Sequence, residues 1–151
     1  MGKQDVEALE RQFNAAMEEA DTGSALDAVR RIYAEFDKGG AEATAGLLHP
    51  KFELHMETLF LDGKVYKGAK GFTTWRAEMD EIFEEDSFDP QGIRFGKGGF
   101  VVLGRLRVKG AESGVEVDEP IAHYHEQKDG KLARLTMYSD IDEAMSAAGI
   151  F

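Results

Sequence analysis

The sequence predicts an α+β fold, a curved antiparallel sheet with helices on its concave face, and two observations predict it. Apolar residues recur at three- and four-residue steps over the early part of the chain and again around Trp75. From Phe88 onward the apolar residues alternate with polar ones, between Gly and Asp-Gly turn signals. A chain of 151 residues suits one domain with a closed core, so helices and sheet are expected to share it.

In the first segment Val6, Leu9, Phe13, Met17 and Ala20 form one apolar stripe, and "DTG" ends that helix at Gly23. Ser24 starts a second helix, with Asp27 three residues on as a short-armed capping box. Its apolar face is Ala25, Val29, Ile32, Tyr33 and Phe36, and "KGG" closes it. "AEATAGLL" reads as a third, shorter helix broken before Pro50. The period then changes. "FELHMETLF" alternates Phe52, Leu54 and Met56 against Glu53, His55 and Glu57, a half-buried strand, and "DGKVYKG" returns through an Asp-Gly turn. "GFTTWRAEMDEIFEE" is helical, with Phe72, Trp75, Met79, Ile82 and Phe83 on one face. "GIRFG", "GFVVLGRLRVKG", "GVEVDEPIAHYHEQ" and "KLARLTMYS" follow as strands, and "DIDEAMSAAG" as a short helix capped by Asp140.

Composition removes several function classes. A net charge of −11 and no Lys/Arg stripe argue against nucleic acid or an anionic membrane surface as partner. The absence of cysteine excludes disulfides, thiolate nucleophiles and the usual closed zinc sites. No apolar run approaches the length of a membrane span and the N-terminus has no signal core, so the expected location is cytoplasmic.

Three strings carry a resemblance. "VRRIYAEFDKGGAEATAGLLHPKFELH", "VYKGAKGFTTWRAEM" and "SGVEVDEPIAHYHEQKDGKLARLTMYSDIDEAMSAAG", with the Gly-rich bend between the middle strands, resemble the SnoaL-like polyketide cyclase branch of the nuclear transport factor 2-like superfamily. The resemblance covers about residues 24–149. The division this implies is an N-terminal helical extension over residues 1–22 and a SnoaL-like domain over residues 23–151. The resemblance implies a cone-shaped α+β barrel, a homodimer formed through the sheet, and an apolar pocket for a small cyclic molecule. Its members include ketosteroid isomerase, dehydratases, hydrolases, cyclases and non-catalytic binding modules, so fold leaves the reaction open.

The ketosteroid isomerase constellation is a Tyr, a general-base Asp and a protonated Asp. Aligned through "DKGG" and counted back from Gly130, those positions fall on Ile32, Met56 and Ala122, all apolar. Tyr33, His55, Glu57 and His123 lie one residue away, within reach of a β-bulge. On this phase Ala122 and Tyr124 face the cavity, and His123 and His125 point to the other side of the sheet. Two imidazoles at that spacing lack a third ligand, so no metal site is expected. Asp118 and Glu116 share the parity of Ala122 and would aim a carboxylate at the pocket, or be solvated if Pro120 breaks the register. Arg105 could orient an anion, pair with Asp118 or lie on the wet face.

The catalytic candidates are therefore Asp118, His55, His123 and Asp140, and the ligand-binding candidates Tyr33, Met56, Trp75, Met79, Tyr124 and Met137. Two readings stay open. One is a cofactor-independent isomerase, cyclase, dehydratase or hydrolase working by acid-base chemistry. The other is a small-ligand-binding or dimerisation module without turnover. A third, an interaction module using the acidic surface and first helix, is weaker.

Overall fold

The apolar stripes become four helices and the alternating segments six strands, seen in a computed structural model that describes residues 3–57 and 63–150. Residues 58–62, where the first strand was expected to end and the Asp62 turn to begin, lie outside the described residues, as does the Val6 side chain. Helices α1 (Lys3–Glu18) and α2 (Thr22–Thr44) come first, followed by a 3-10 turn at Ala45–Leu47. Strands β1 (Leu48–Glu57) and β2 (Val65–Lys67) precede helix α3 (Gly68–Ile82). Strands β3 (Phe83–Gly96), β4 (Gly99–Gly110), β5 (Glu116–Lys128) and β6 (Lys131–Tyr138) then lead to α4 (Ile141–Ala147).

Three boundaries differ from the sequence reading. Asp21, not Ser24, caps α2: its Oδ1 accepts the Ser24 amide at 3.1 Å, so the helix begins earlier. The helix also runs through Gly39 and Gly40 to Thr44, taking in the first half of the expected third helix. A glycine costs a helix interior only about 1 kcal/mol, and the alanines that follow favour continuation. Helix α3 ends at Ile82, because Phe83 is already extended (φ −115°, ψ 132°) and opens a fourteen-residue strand.

The strand order is β2-β1-β6-β5-β4-β3. The sheet is mixed rather than antiparallel throughout, since β1 and β6 pair in parallel. These two strands are joined by a long connection that includes α3, which a parallel pair requires. The β5–β6 hairpin turns on Asp129 (φ 54°) and Gly130 (φ 75°), the two positive φ values of a two-residue turn. Pro90 is tolerated because β3 is an edge strand.

The sheet curves round α3, which packs against both of its ends. Phe72 joins Phe52, Leu54 and Leu135 in one cluster, while Met79 packs with Phe83 and Val108 in another. Helix α2 lies beside it on the same face, with Val29 against Ile93 and Val102. Helix α1 closes the end of this layer. Its Phe13 ring lies 4.5 Å from that of Phe100, and Ala16 meets Ala25 and Ala28 where small residues let the helices approach. Helix α4 covers the opposite face, setting Ala144 and Ala148 on Val101, Ala122 and Tyr124.

Asp140 caps α4 by accepting the amides of Asp142 at 2.9 Å and Glu143 at 3.2 Å. Asp140→Ala should lower the urea midpoint by the equivalent of about 1 kcal/mol, and Asp140→Asn should restore most of it.

Candidate functional site

Between α2, α3 and the concave face of the sheet lies a cavity of about 170 Å³. Its inner side comes from alternation along β5 and β6, broken once on β6. On β5 the inward residues are Val117, Glu119, Ile121, His123 and His125, on β6 they are Leu132, Leu135 and Met137, and Ser139 follows just past the end of β6. The step of three between Leu132 and Leu135 reflects a register shift, where Glu126 pairs with Arg134 but Gln127 pairs with Leu132. The helices contribute one face each. Tyr33, Phe36 and Asp37 come from α2, and Phe72, Trp75, Arg76 and Met79 from α3.

This reverses the expected phase of β5. His123 and His125 face the cavity and are 6% and 2% exposed, whereas Ala122 and Tyr124 pack under α4 on the other side. The alternation on β5 is unbroken and the extra residue of the hairpin, Ala133, lies on β6, so the count from Gly130 was matched to the isomerase position one residue out, and a slip of one residue turns every side chain over. Tyr33 lines the main cavity, while Ile32 lines a smaller chamber of about 40 Å³ beside α1. Met56, Trp75, Met79 and Met137 also line the main cavity. Met56 and Ala122, where the isomerase positions fell, offer no carboxyl.

The other chemical candidates lie away from the cavity. Asp118 is half exposed and pairs with Arg105 and, at 3.4 Å, with Arg107, which also settles the partner of Arg105. His55 lies on the outer face, 2.8 Å from Glu53 and 3.4 Å from Arg134. Its hydrogen bond holds the Glu53 carboxyl below the usual value. Asp140 is occupied as the cap of α4.

At the buried end of the cavity the Tyr33 hydroxyl bridges both imidazoles, 3.1 Å from Nδ1 of His123 and 2.5 Å from Nε2 of His125. The rings are held from the side by aromatic stacking. His123 lies 4.0 Å from Phe88 at 24°, and His125 lies 4.8 Å from Phe100 at 12°. Burial pushes each imidazole down to about 3, with the neighbouring His123 adding to the effect at His125. Burial also pushes the Tyr33 phenol far above its usual value. All three groups are therefore neutral at pH 7. His125 Nδ1 and Trp75 Nε1 are buried without a hydrogen-bond partner among the described residues.

A second polar group sits on the more open side. Arg76 reaches Asp86 at 2.7 Å and Asp80 at 3.1 Å, tying α3 to β3. Burial raises the Asp37 carboxyl above the usual value, Arg76 opposes that and Asp86 adds to it. Asp37 was missed because it is a charged residue at the edge of an apolar stripe. Its place four residues after Tyr33 was the available signal. Among the described residues no group of three or more His, Asp or Glu side chains is arranged to hold a metal ion. Nor is any described helix long and apolar enough to cross a membrane.

Replacing the bridge tests its weight. Tyr33→Phe strands two buried ring nitrogens and should destabilise the fold by about 1–3 kcal/mol, read from urea unfolding at pH 7. Acid should act through the same pair. The unfolded imidazoles titrate near 6.5 and the folded ones near 3, so the unfolded chain binds more protons in between. Stability should therefore fall as pH drops from about 6.5 toward about 3, by up to about 1.4 kcal/mol per pH unit for each histidine. Unfolding midpoints across that range should show a shallower fall in the His123→Gln/His125→Gln variant.

No protein-family model and no curated protein matches this sequence. Solved structures do match by shape. An NTF2-like protein of unknown function from Burkholderia pseudomallei superposes with a TM-score of 0.63 at 17% identity, over 80% of this chain and 93% of that one. A protein from Jannaschia sp. CCS1 described as a SnoaL-like polyketide cyclase gives 0.61 at 18% identity, over 80% and 90%. TerC, co-crystallised with polyporic acid, gives 0.61 at 21% identity, over 77% and 90%. At such identities the similarity speaks for architecture, and it agrees with the mixed sheet curved round α3: the chain has the nuclear transport factor 2-like fold.

Proposed function

We propose that this chain binds a small, largely apolar cyclic molecule in the cavity between α2, α3 and the sheet, with one polar group of the ligand at His123. The observation that carries the reading is the make-up of the walls. Phenylalanine, methionine and leucine side chains from both ends of the sheet enclose about 170 Å³, and polar groups gather at the buried end around Tyr33. A ligand site of this kind is mostly apolar, with a few polar groups that fix orientation. Met56, Met79 and Met137 give the walls flexible, polarisable side chains that adapt to a ring system. His123 spends Nδ1 on Tyr33, and its Nε2 has no hydrogen-bond partner among the described residues, which leaves that nitrogen for a ligand. TerC, of the same fold, was co-crystallised with a small organic molecule, polyporic acid, which supports the reading by analogy.

Trp75 is the chain's one tryptophan and lines the cavity, so its fluorescence reports occupancy directly. Titration with 2-tetralone, cyclohexenone and a naphthoquinone should give a saturable change in Trp75 emission with at least one of them. The same compound should raise the melting temperature, by the equivalent of about 2.7 kcal/mol at a hundred times its Kd. A flat emission curve and an unchanged melting temperature with every compound would refute the reading.

A further inference from the structure

We propose that the smaller chamber beside α1 is a site for ordered water, which accepts the Nδ1–H of His125 and passes the hydrogen bond on to Glu10, Asn14 and Gln127. Through the Tyr33 bridge this water fixes the tautomer of both histidines. Glu10 and Asn14 of α1 are then positioning residues, acting on His123 without touching it. The chamber does this whatever occupies the main cavity.

His125 is 2% exposed and lines the chamber, and its Nδ1 is buried without a hydrogen-bond partner among the described residues. Its Nε2 is taken by the Tyr33 hydroxyl, and the two nitrogens of an imidazole point apart, so Nδ1 looks away from Tyr33. A buried polar atom is costly to leave unpaired, and native interiors pair it with protein or with ordered water. Three side chains of the chamber can complete such a pairing. Glu10 and Asn14 come from α1 and Gln127 from β5, and each offers an oxygen acceptor. None of them bonds Nδ1 directly, so a small molecule spans the gap.

Size decides what that molecule is. The chamber holds about 40 Å³, against about 10–15 Å³ for one water and about 150 Å³ for a cavity that takes a benzene ring. It is roomy enough for water and too small for a ring. A chamber walled only by apolar groups stays dry, but this one has polar groups on two elements besides His125.

Two independent features place the protons the same way. An O–H donor makes a shorter hydrogen bond than an N–H donor. Tyr33 Oη is 2.5 Å from His125 Nε2 and 3.1 Å from His123 Nδ1, so it donates to His125 and accepts from His123. Both rings then carry their proton on Nδ1. The chamber asks for the same tautomer from its own end. Glu10, 3.8 Å from Lys131, brings a carboxylate that only accepts. A water that gives one proton to Glu10 and the other to an amide oxygen of Asn14 or Gln127 has a lone pair left for an N–H, and His125 Nδ1 supplies it. His123 Nε2 is left as the bare nitrogen of the pair. The helix outside the family-like strings thus decides which nitrogen of His123 carries its proton.

The water and the ring nitrogens can both be read in the full chain, with no ligand added. Water-selective NOE and ROE spectra at pH 7 should show cross peaks of opposite sign, the mark of a long-lived water, at the carbon-bound His125 Hε1 and the Phe13 ring protons. Their absence means a dry chamber and sinks the proposal. Long-range 15N–1H spectra should show His123 and His125 both as Nδ1–H, and finding His125 as Nε2–H would overturn it equally. Glu10→Gln keeps the shape of the wall but replaces a charged acceptor by a weaker, neutral one. The share of His125 present as Nε2–H should rise about fivefold, with the Trp75 emission of the unaltered protein retained. A purely structural Glu10 would leave that share unchanged, which counts against the proposal. Asn14→Leu, which fills the chamber, should abolish the water cross peaks. Should that variant fail to fold, Glu10→Gln decides.

Discussion

Burying an imidazole in an apolar interior removes the water that would solvate its charge, so the ring must be neutral and its nitrogens must find partners. The fold buries two such rings side by side on β5, and the hydroxyl of Tyr33 serves both. This contact also fixes where α2 sits. A hydroxyl that must reach two nitrogens two residues apart on a strand leaves the helix little freedom to slide or roll. The phenylalanines stacked on the rings complete the arrangement, since Phe88 and Phe100 come from β3 and β4 on the far side of the pair. The polar end of the cavity is thus held by one helix and three strands at once.

Much of this was legible in the sequence, and the part that was not has a specific cause. Element types followed from period, because the stripe of Ala25, Val29 and Phe36 fits only a helix and the alternation at Phe52, Leu54 and Met56 only a strand. Period cannot say which face of a two-sided strand turns inward when both faces are buried. On β5 every residue from Ile121 to His125 is buried, inner and outer face alike, because α4 covers the outside. Alternation of burial therefore carried no information there, and nothing in the burial pattern could correct a count from the turn that was one residue out. On α2 the uncertainty had another source. Ile32 and Tyr33 are adjacent on a broad apolar stripe, and only the position of the sheet decides which of them reaches the histidines.

The candidates on the outer face show why residue type alone locates chemistry poorly. Asp118 pairs with two arginines, His55 lies between Glu53 and Arg134, and Asp140 caps a helix. Each is a titratable group whose lone pairs or protons are already engaged in a local structural contact. Inside the cavity the opposite holds. His123 Nε2 and His125 Nδ1 are left over after the Tyr33 contacts are made, and Asp37 makes no hydrogen bond or ion pair among the described residues. A group held at one atom and unengaged at another can both keep its orientation and act on a ligand.

Helix α1 lies outside the strings that carry the family resemblance, yet it belongs to the electrostatics of the site. Phe13 packs on Phe100, Phe100 stacks on His125, and Glu10 and Asn14 form part of the chamber that His125 shares. The depressed basicity of the pair comes first from burial, and α1 is one of the elements that provide it. With α1 in place the rings are neutral at pH 7. Were the chamber open to solvent, His125 would regain hydration and with it basicity. The helix is therefore as much a determinant of the histidines' chemistry as the strand that carries them.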